Sequence, residues 1–359
     1  MIINNTRFDK FKKRQTRNFN KVIMSKLYFI LFFVFFLTLT SFAQDIHFSQ
    51  ADLSPVNLNP ALTGLFDADY RLHVNERRQW RSITVPYRTF STTFDAALRK
   101  FPVPGFFGAG LVFNTDKAGD GDFGTNQIKL AIAYHYRFKK DTNLLVSGGF
   151  NFVYNQHSIN YSKFYFPNQY NGYIYDPNLP NNETFPSDNM HYFDASFGLS
   201  ANYVYKNVPV EAGIAFHHLN KPQQSFFNQT AVDLDRKFDF HAAANFTINE
   251  KTSLLPTVFW FRQGKFNELN IGGLAQRKLN SLAFRSVYLG GWLRWRDAGI
   301  ICFAFDYQNF RVGISYDINV SSLKVASAGR GGLELSIRYI FNNPDKMLIP
   351  GKHICPPYI

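Results

Sequence analysis

Residues 193–203 read FDASFGLSANY, and their parity decides the fold. Phe193, Ala195, Phe197, Leu199, Ala201 and Tyr203 fall on one face of an extended chain. Asp194, Ser196, Gly198, Ser200 and Asn202 fall on the other. Successive side chains of a strand point to opposite faces, so this stretch is a strand with one apolar and one polar side. Working outward, residues 128–138 (IKLAIAYHYRF) set Ile128, Leu130, Ile132, Tyr134, Tyr136 and Phe138 against Lys129, His135 and Arg137. Residues 333–341 (LELSIRYIF) set Leu333, Leu335, Ile337, Tyr339 and Phe341 against Glu334, Ser336 and Arg338. A helix would scatter those apolar residues around its whole circumference.

The same test gives about fourteen strands of roughly 9–11 residues, the length a tilted strand needs to cross a bilayer. They begin near Tyr70, Tyr87, Gly105, Thr125, Asn143, His191, Val208, Arg236, Lys251, Phe266, Phe284, Ala298, Phe310 and Gly332. Connections alternate between long (115–124, 158–190, 220–235, 319–331) and short (Lys139–Thr142, Lys206-Asn207, Asn249-Glu250, Gln308-Asn309). Outer-membrane barrels have short periplasmic turns and longer outer loops, a sidedness that a pair of soluble β-sandwiches does not predict. With an even strand number, both chain ends are expected on the periplasmic side. Tyr134, Tyr136, Phe138, Trp260, Trp292 and Trp295 are candidates for the aromatic girdles at the membrane interfaces.

Composition agrees. The 359 residues include 40 Phe and 19 Tyr, bringing aromatics to 18%, yet mean hydropathy is −0.21. Rings that alternate with Ser, Asn, Gly and charged residues suit a wall with lipid on one side and water on the other.

Leu27–Leu39 (LYFILFFVFFLTL) is an uncharged apolar run too short for a membrane helix. Lys21 and Lys26 precede it, and Ser41 and Ala43 supply small residues before a cut ahead of Gln44. Residues 1–43 therefore read as a cleaved signal peptide, with Met24 a possible true start. Of the +13 formal charge, that segment carries eight Lys/Arg against one Asp, leaving the remaining chain at +6. No basic stripe interleaved with stacking aromatics remains, so nucleic acid is not an expected partner.

Cys302 and Cys355 are too few for a disulfide framework. Asp116, Asp120 and Asp122 in TDKAGDGDFG lack EF-hand spacing and read as turn residues. His217-His218 lies in a strand pattern, which places one ring in the lumen and one in the girdle. No Gly-x-Ser-x-Gly, phosphate loop or zinc spacing occurs. The sequence assigns no catalytic, cofactor-binding or metal residue, and the chain reads as a non-enzyme.

The segment Asp45–Ile83 resembles the start of the PorP/SprF family, outer-membrane proteins associated with the type IX secretion system of Bacteroidetes. The matching residues are Phe48-Ser49-Gln50, Pro55, Asn59-Pro60-Ala61, Gly64 and Arg78-Gln79-Trp80. Near the other end come Val312–Asn319, the Gly331-Gly332-x-Glu334-x-Ser336 strand and Cys355-Pro356. The resemblance implies an all-β fold with a single antiparallel transmembrane barrel in the outer membrane. It also implies periplasmic secretion machinery and exported surface proteins such as gliding adhesins as partners, beside outer-membrane lipid. A passive channel or small-solute transporter is the alternative. The expected organisation is a signal peptide (1–43), a lead or plug segment (44–69), a barrel (70–342) and a tail (343–359).

Overall fold

The computed structural model describes residues 45–79, 85–101, 103–138, 143–226, 232–321 and 324–342. Residues 70–341 form a closed antiparallel barrel of fourteen strands. They are β1 (Tyr70–Gln79), β2 (Tyr87–Leu98), β3 (Gly105–Ala118), β4 (Phe123–Arg137) and β5 (Leu144–Ser158). β6 (Asn189–Tyr205), β7 (Val208–His217), β8 (Lys237–Ala244), β9 (Thr252–Gln263) and β10 (Phe266–Lys278) follow. β11 (Phe284–Arg294), β12 (Ala298–Tyr307), β13 (Phe310–Asn319) and β14 (Arg330–Phe341) complete the ring. β8 resumes at Phe246–Asn249 after a break at Asn245. Every strand pairs with its chain neighbours, and the seam joins β14 to β1 from Phe341↔Tyr70 to Leu333↔Arg78. Each expected strand start lies within two residues of the observed one. Among the described residues no helix is long and apolar enough to cross a membrane; the chain crosses with strands.

The barrel is inside out relative to a soluble protein. Leu130, Ile132, Phe152, Leu289 and Ile301 are exposed on its outer surface, while Arg71, His73, Asp95, His135, Glu211 and Glu334 are buried inside. This follows from the alternation: the apolar face meets lipid and the polar face turns inward. Closure leaves no open edge across the apolar band, as hydrocarbon requires.

The strands are unequal. β3 to β6 run fourteen, fifteen, fifteen and seventeen residues, whereas β7 has ten and β8 eight. At about 3.3 Å per residue, β6 therefore stands roughly 20 Å taller than β7. This extra length revises one expected loop. Most of 115–124 is strand, and only Gly119–Gly121 with Asp122 form the turn between β3 and β4. At the opposite end of the barrel, Lys206 and Asn207 both take positive φ (45° and 70°), the two-residue hairpin geometry that matches strand twist.

Two expected outward side chains face inward. Trp292 is buried, and its indole Nε1–H donates to Thr257 Oγ1 at 2.6 Å. It shares inward parity with Tyr288 and Arg294 on β11, so it belongs to the lumen instead of a girdle. His218 is buried beside His217 because the strand ends at His217 and a positive φ of 59° turns the next side chain inward.

Candidate functional site

Residues 45–69 fill the lumen. They form three short helical turns, Ala51–Leu53, Pro55–Leu58 and Pro60–Leu62. Pro55 and Pro60 sit at first helical positions, where the missing N–H is not needed. Leu53, Val56, Leu62, Leu65 and Phe66 are almost wholly buried, each worth about 1.5–3 kcal/mol of transfer from water. Val56 packs with Val112 and Ala131, and Leu62, Leu65 and Phe66 join a cluster with Ala97, Phe106, Leu145, Leu255 and Phe259 of the barrel wall.

Polar contacts fix the segment at several heights. Uppermost, Asp45 N–H donates to Gln263 Oε1 at 3.1 Å, and the Asp45 carboxylate lies 3.6 Å from His218 Nε2. His218 Nδ1 is 2.6 Å from Asp194 Oδ2. Burial opposes charge on His218, but the Asp194 and Asp45 carboxylates prevail and raise its pKa to about 9. Burial also works against ionised Asp45, yet His218 and Lys237 hold it well below the usual carboxylate range.

The densest contact lies one turn further along. The backbone N–H groups of Ser49 and Gln50 donate to the two oxygens of Glu334, at 2.7 and 2.9 Å. Ser49 Oγ donates to Asp317 at 2.7 Å and accepts from Arg294 at 3.1 Å. Arg77 and Arg294 both reach Asp317, at 2.8 and 3.1 Å, and Glu268 lies 3.2 Å from Arg294. Arg77 also donates to the carbonyl of His47 at 3.0 Å. His47 is half-buried against this cluster, and desolvation depresses its pKa to about 4, with Glu268 opposing and Arg77 assisting.

Deeper still, Asn59 Nδ2 donates to the carbonyls of Leu199 and Ile214 at 3.0 and 3.1 Å. Its Oδ1 accepts from Ala61 N–H at 2.9 Å. The wall is glycine where the segment touches it: a Cβ on Gly198 would overlap Asn59 Oδ1, and one on Gly108 would overlap the Thr63 carbonyl. Near the base, Asp95 accepts from Arg71 at 2.7 Å and from Gly64 N–H at 2.7 Å, while Arg71 also donates to the Leu62 carbonyl.

The sequence motifs divide accordingly. Ser49, Gln50 and Glu334 meet in one site, with Phe48 buried beside them. Asn59, Pro60, Ala61 and Gly64 seat the lower half, and Gly64 takes a φ of 74°. Gly331 allows the Asp317 backbone to approach closely, and Gly332 packs near Arg78 and Gln79. Arg78 is an outward residue that pairs with Glu76 and takes no part in the site, while Gln79 ends β1 beside the Arg77 guanidinium. Trp80, Ala43, Gln44 and Cys355 lie outside the described residues. Arg71, Asp95, Arg77, Arg294, Asp317 and Glu268 were missed, although each is a charge at an inward-parity strand position. Cys302 is buried, its Sγ 3.7 Å from Gln50 Oε1. Asp116 accepts from Thr89 Oγ1, and Asp122 pairs with Lys163; no cluster of metal ligands occurs among the described residues.

One expectation about the ends is corrected. Asp45 lies by His218 and Gln263, at the end of the barrel that carries the long 159–188 loop, whereas β14 finishes at the opposite end. Segment 45–69 crosses the lumen before β1 begins, which reverses the side that strand parity alone assigned to its start.

The sequence pattern described as "type IX secretion system membrane protein PorP/SprF" matches residues 40–339. The chain belongs to the PorP/SprF family. It is an outer-membrane β-barrel protein of the type IX secretion system. No curated protein matches the sequence. Among solved structures, this PorP/SprF member is similar in fold to the Ralstonia pickettii toluene transporter TbuX. The TM-score is 0.47 at 9% identity, covering 80% of this chain and 94% of that one. The Pseudomonas putida toluene transporter TodX gives 0.44 at 11% identity, over 82% and 94%. The translocator domain of the autotransporter NalP from Neisseria meningitidis gives 0.33 at 9%, over 82% and 96%.

Proposed function

We propose that this PorP/SprF protein is a plugged docking barrel. It meets secretion machinery at its short-turn, periplasmic end and exports or anchors surface proteins, such as gliding adhesins, at its long-loop end. The observation that carries this reading is the occupied lumen. Ser49 and Gln50 on Glu334, Asn59 on β6 and β7, and Gly64 on Asp95 tie residues 45–69 to the wall along the whole bore. A solute path is poorly served by a bore so filled, whereas a binding platform needs only its two rims. The 159–188 loop supports the outer role, because it presents Tyr165, Tyr170, Tyr173 and Ile174 to solvent. Tyrosine gives large contact area with little loss of conformational freedom.

The test is a mild-detergent affinity purification of the tagged protein from its native outer membrane, with proteins identified by mass spectrometry. Recovery of periplasmic secretion subunits or a large surface adhesin is expected. A partnerless barrel that also conducts steadily in planar bilayers would overturn the reading in favour of a passive channel.

A further inference from the structure

We propose that the short-turn end of β9–β11 holds the phosphate of an anionic phospholipid, with Arg277 and Arg285 as its ligands. The two arginines lie on neighbouring strands. Arg277 faces Val287, while Leu279 N–H donates to the Arg285 carbonyl at 2.8 Å. Arg285 therefore stands two places along β11 from the residue opposite Arg277. Such diagonal neighbours are on the order of 7–8 Å apart, within the span of two long side chains. Arg277 shares the outward parity of Ala275 and Ile271, because Leu274 and Gln276 face the lumen. At Arg285 a bulge, between Phe284↔Tyr307 and Ser286↔Asp306, aims the side chain outward while Ser286 stays buried. Both arginines are exposed.

Two lysines complete the patch. Lys278 N–H donates to the Lys251 carbonyl at 2.7 Å, which sets both exposed side chains at the rim beside the arginines. Arg277 Nη1 donates to Thr252 Oγ1 at 2.8 Å, and this steadies one branch of its guanidinium. The run 232–321 is described without a break, so it contains the whole of both hairpins below the patch, 250–251 and 279–283. Among the described residues none of the four cations pairs with a carboxylate, although Glu250 adjoins Lys251 in sequence. Other short turns are sparser. Lys206 is the one cation of its hairpin and rests 5.2 Å from the Tyr205 ring centre, and Gln308-Asn309 has none.

Depth along the wall identifies the occupant as a lipid. Toward the other end of the same strands, Leu269 pairs with Trp260 and bonds to Trp295, and both indoles are exposed outward as at a membrane interface. From Leu269 to Arg277 the chain advances eight residues, or roughly 20 Å along the membrane normal at about 3.3 Å per residue and a tilt of about 40°. The outward residues between are apolar or glycine, from Ile271 to Ala275 on β10 and from Leu293 to Val287 on β11. An apolar band is about 25 Å tall, so the two arginines mark its far boundary, where headgroup phosphates lie.

The chemistry fits that level. A guanidinium presents a planar fork that matches phosphate oxygens two at a time. Four cations without a paired carboxylate favour a headgroup of net negative charge over a zwitterionic one. Because the arginines point sideways into the boundary and not along the barrel axis, a lipid beside the wall reaches them more directly than a soluble partner below it. This inference rests on the barrel's seat in the membrane and is independent of the docking reading.

The test is native mass spectrometry of the full-length protein in a mild nonionic detergent, with dioleoyl phosphatidylglycerol and dioleoyl phosphatidylcholine added in equal amounts. Retention of one phosphatidylglycerol in preference to phosphatidylcholine is expected. Arg277→Gln and Arg285→Gln should each weaken that retention about fivefold, the worth of one basic residue at an anionic lipid surface. Lys206→Gln, on a different hairpin, should leave it unchanged. Inorganic phosphate in excess should not displace the lipid, whose acyl chains add to the hold. Equal retention of the two lipids, unchanged retention in both arginine variants, or full displacement by inorganic phosphate would each overturn the proposal. Should one arginine variant fail to fold, the other and the phosphate competition still decide. In the affinity purification the arginine variants should recover the same protein partners as the parent. Partners lost while lipid retention stays intact would assign the patch to a protein and overturn the lipid site.

Discussion

Arg71 and Asp95 stand directly opposite each other on β1 and β2, 2.7 Å apart, with both side chains wholly buried. The pair also clamps the lumen segment, since Asp95 takes the Gly64 amide and Arg71 reaches the Leu62 carbonyl. Removing one partner of a buried ion pair leaves an uncompensated charge and typically costs about 3–5 kcal/mol. Asp95→Ala should lower the unfolding temperature in detergent sharply. Replacing the pair together by Met and Leu should restore most of the loss. A single variant as stable as the parent would show that solvent reaches Arg71.

Glu334 binds the segment through two backbone amides, and each such hydrogen bond is worth about 0.5–1.5 kcal/mol. Glu334→Gln should raise protease cleavage within residues 45–50 by up to about tenfold, with the barrel still folded on gels. Gly198→Leu should act on the same segment from another height, because the new side chain occupies the space of Asn59. Protection unchanged in both variants would mean that the apolar contacts alone retain the segment.

Seating of the segment should be tightest near neutral pH. Docked His47 is held neutral, its pKa depressed from 6.5 to about 4 by desolvation, against Glu268. Released, it protonates near 6.5, so docking weakens as pH falls from 6.5 toward 4. His218 is raised to about 9 against the pull of burial. The share of that charge owed to Asp45 supports docking at neutral pH and fades as pH rises through 9. Protease accessibility of residues 45–50 at pH 5, 7 and 9.5 should pass through a minimum at 7. His47→Gln should abolish the acid limb, and an acid limb that persists would assign it to another group.

The 159–188 loop has its own small core, in which Tyr161 stacks on Phe185 at 3.8 Å and Phe166 lies 5.7 Å from Phe185. Phe185→Ala should open the loop to cleavage near the exposed Tyr173 while barrel stability stays within about 0.5 kcal/mol, as for other changes remote from the main core. A fall in barrel stability would show that the loop packs on the wall.

The barrel was legible because alternation is local: Glu334 and Leu335 declare opposite faces as neighbours, whatever the strand pairs with. The lumen site was only half legible. Its backbone side, Ser49 and Gln50, lies in a motif, but Arg294 and Asp317 meet it from strands some 250 residues away, and nothing in either strand names its partner. His218 escaped because a single positive φ at a strand end reverses a parity that the sequence extends by default. Trp292 misled for a different reason: its size suggested a girdle, while its parity with Arg294 already put it inside.

Residues 45–69 pass through a ring that is built from the residues following them. A cord already through a hoop is most simply placed by closing the hoop around it. Arg77 on β1 and Glu334 on β14 both line the Ser49 site and flank the β1–β14 seam. The last strand therefore carries the group that grips the segment, and closing the seam also completes the grip. The simplest order of assembly therefore lays down the filling before the wall is shut.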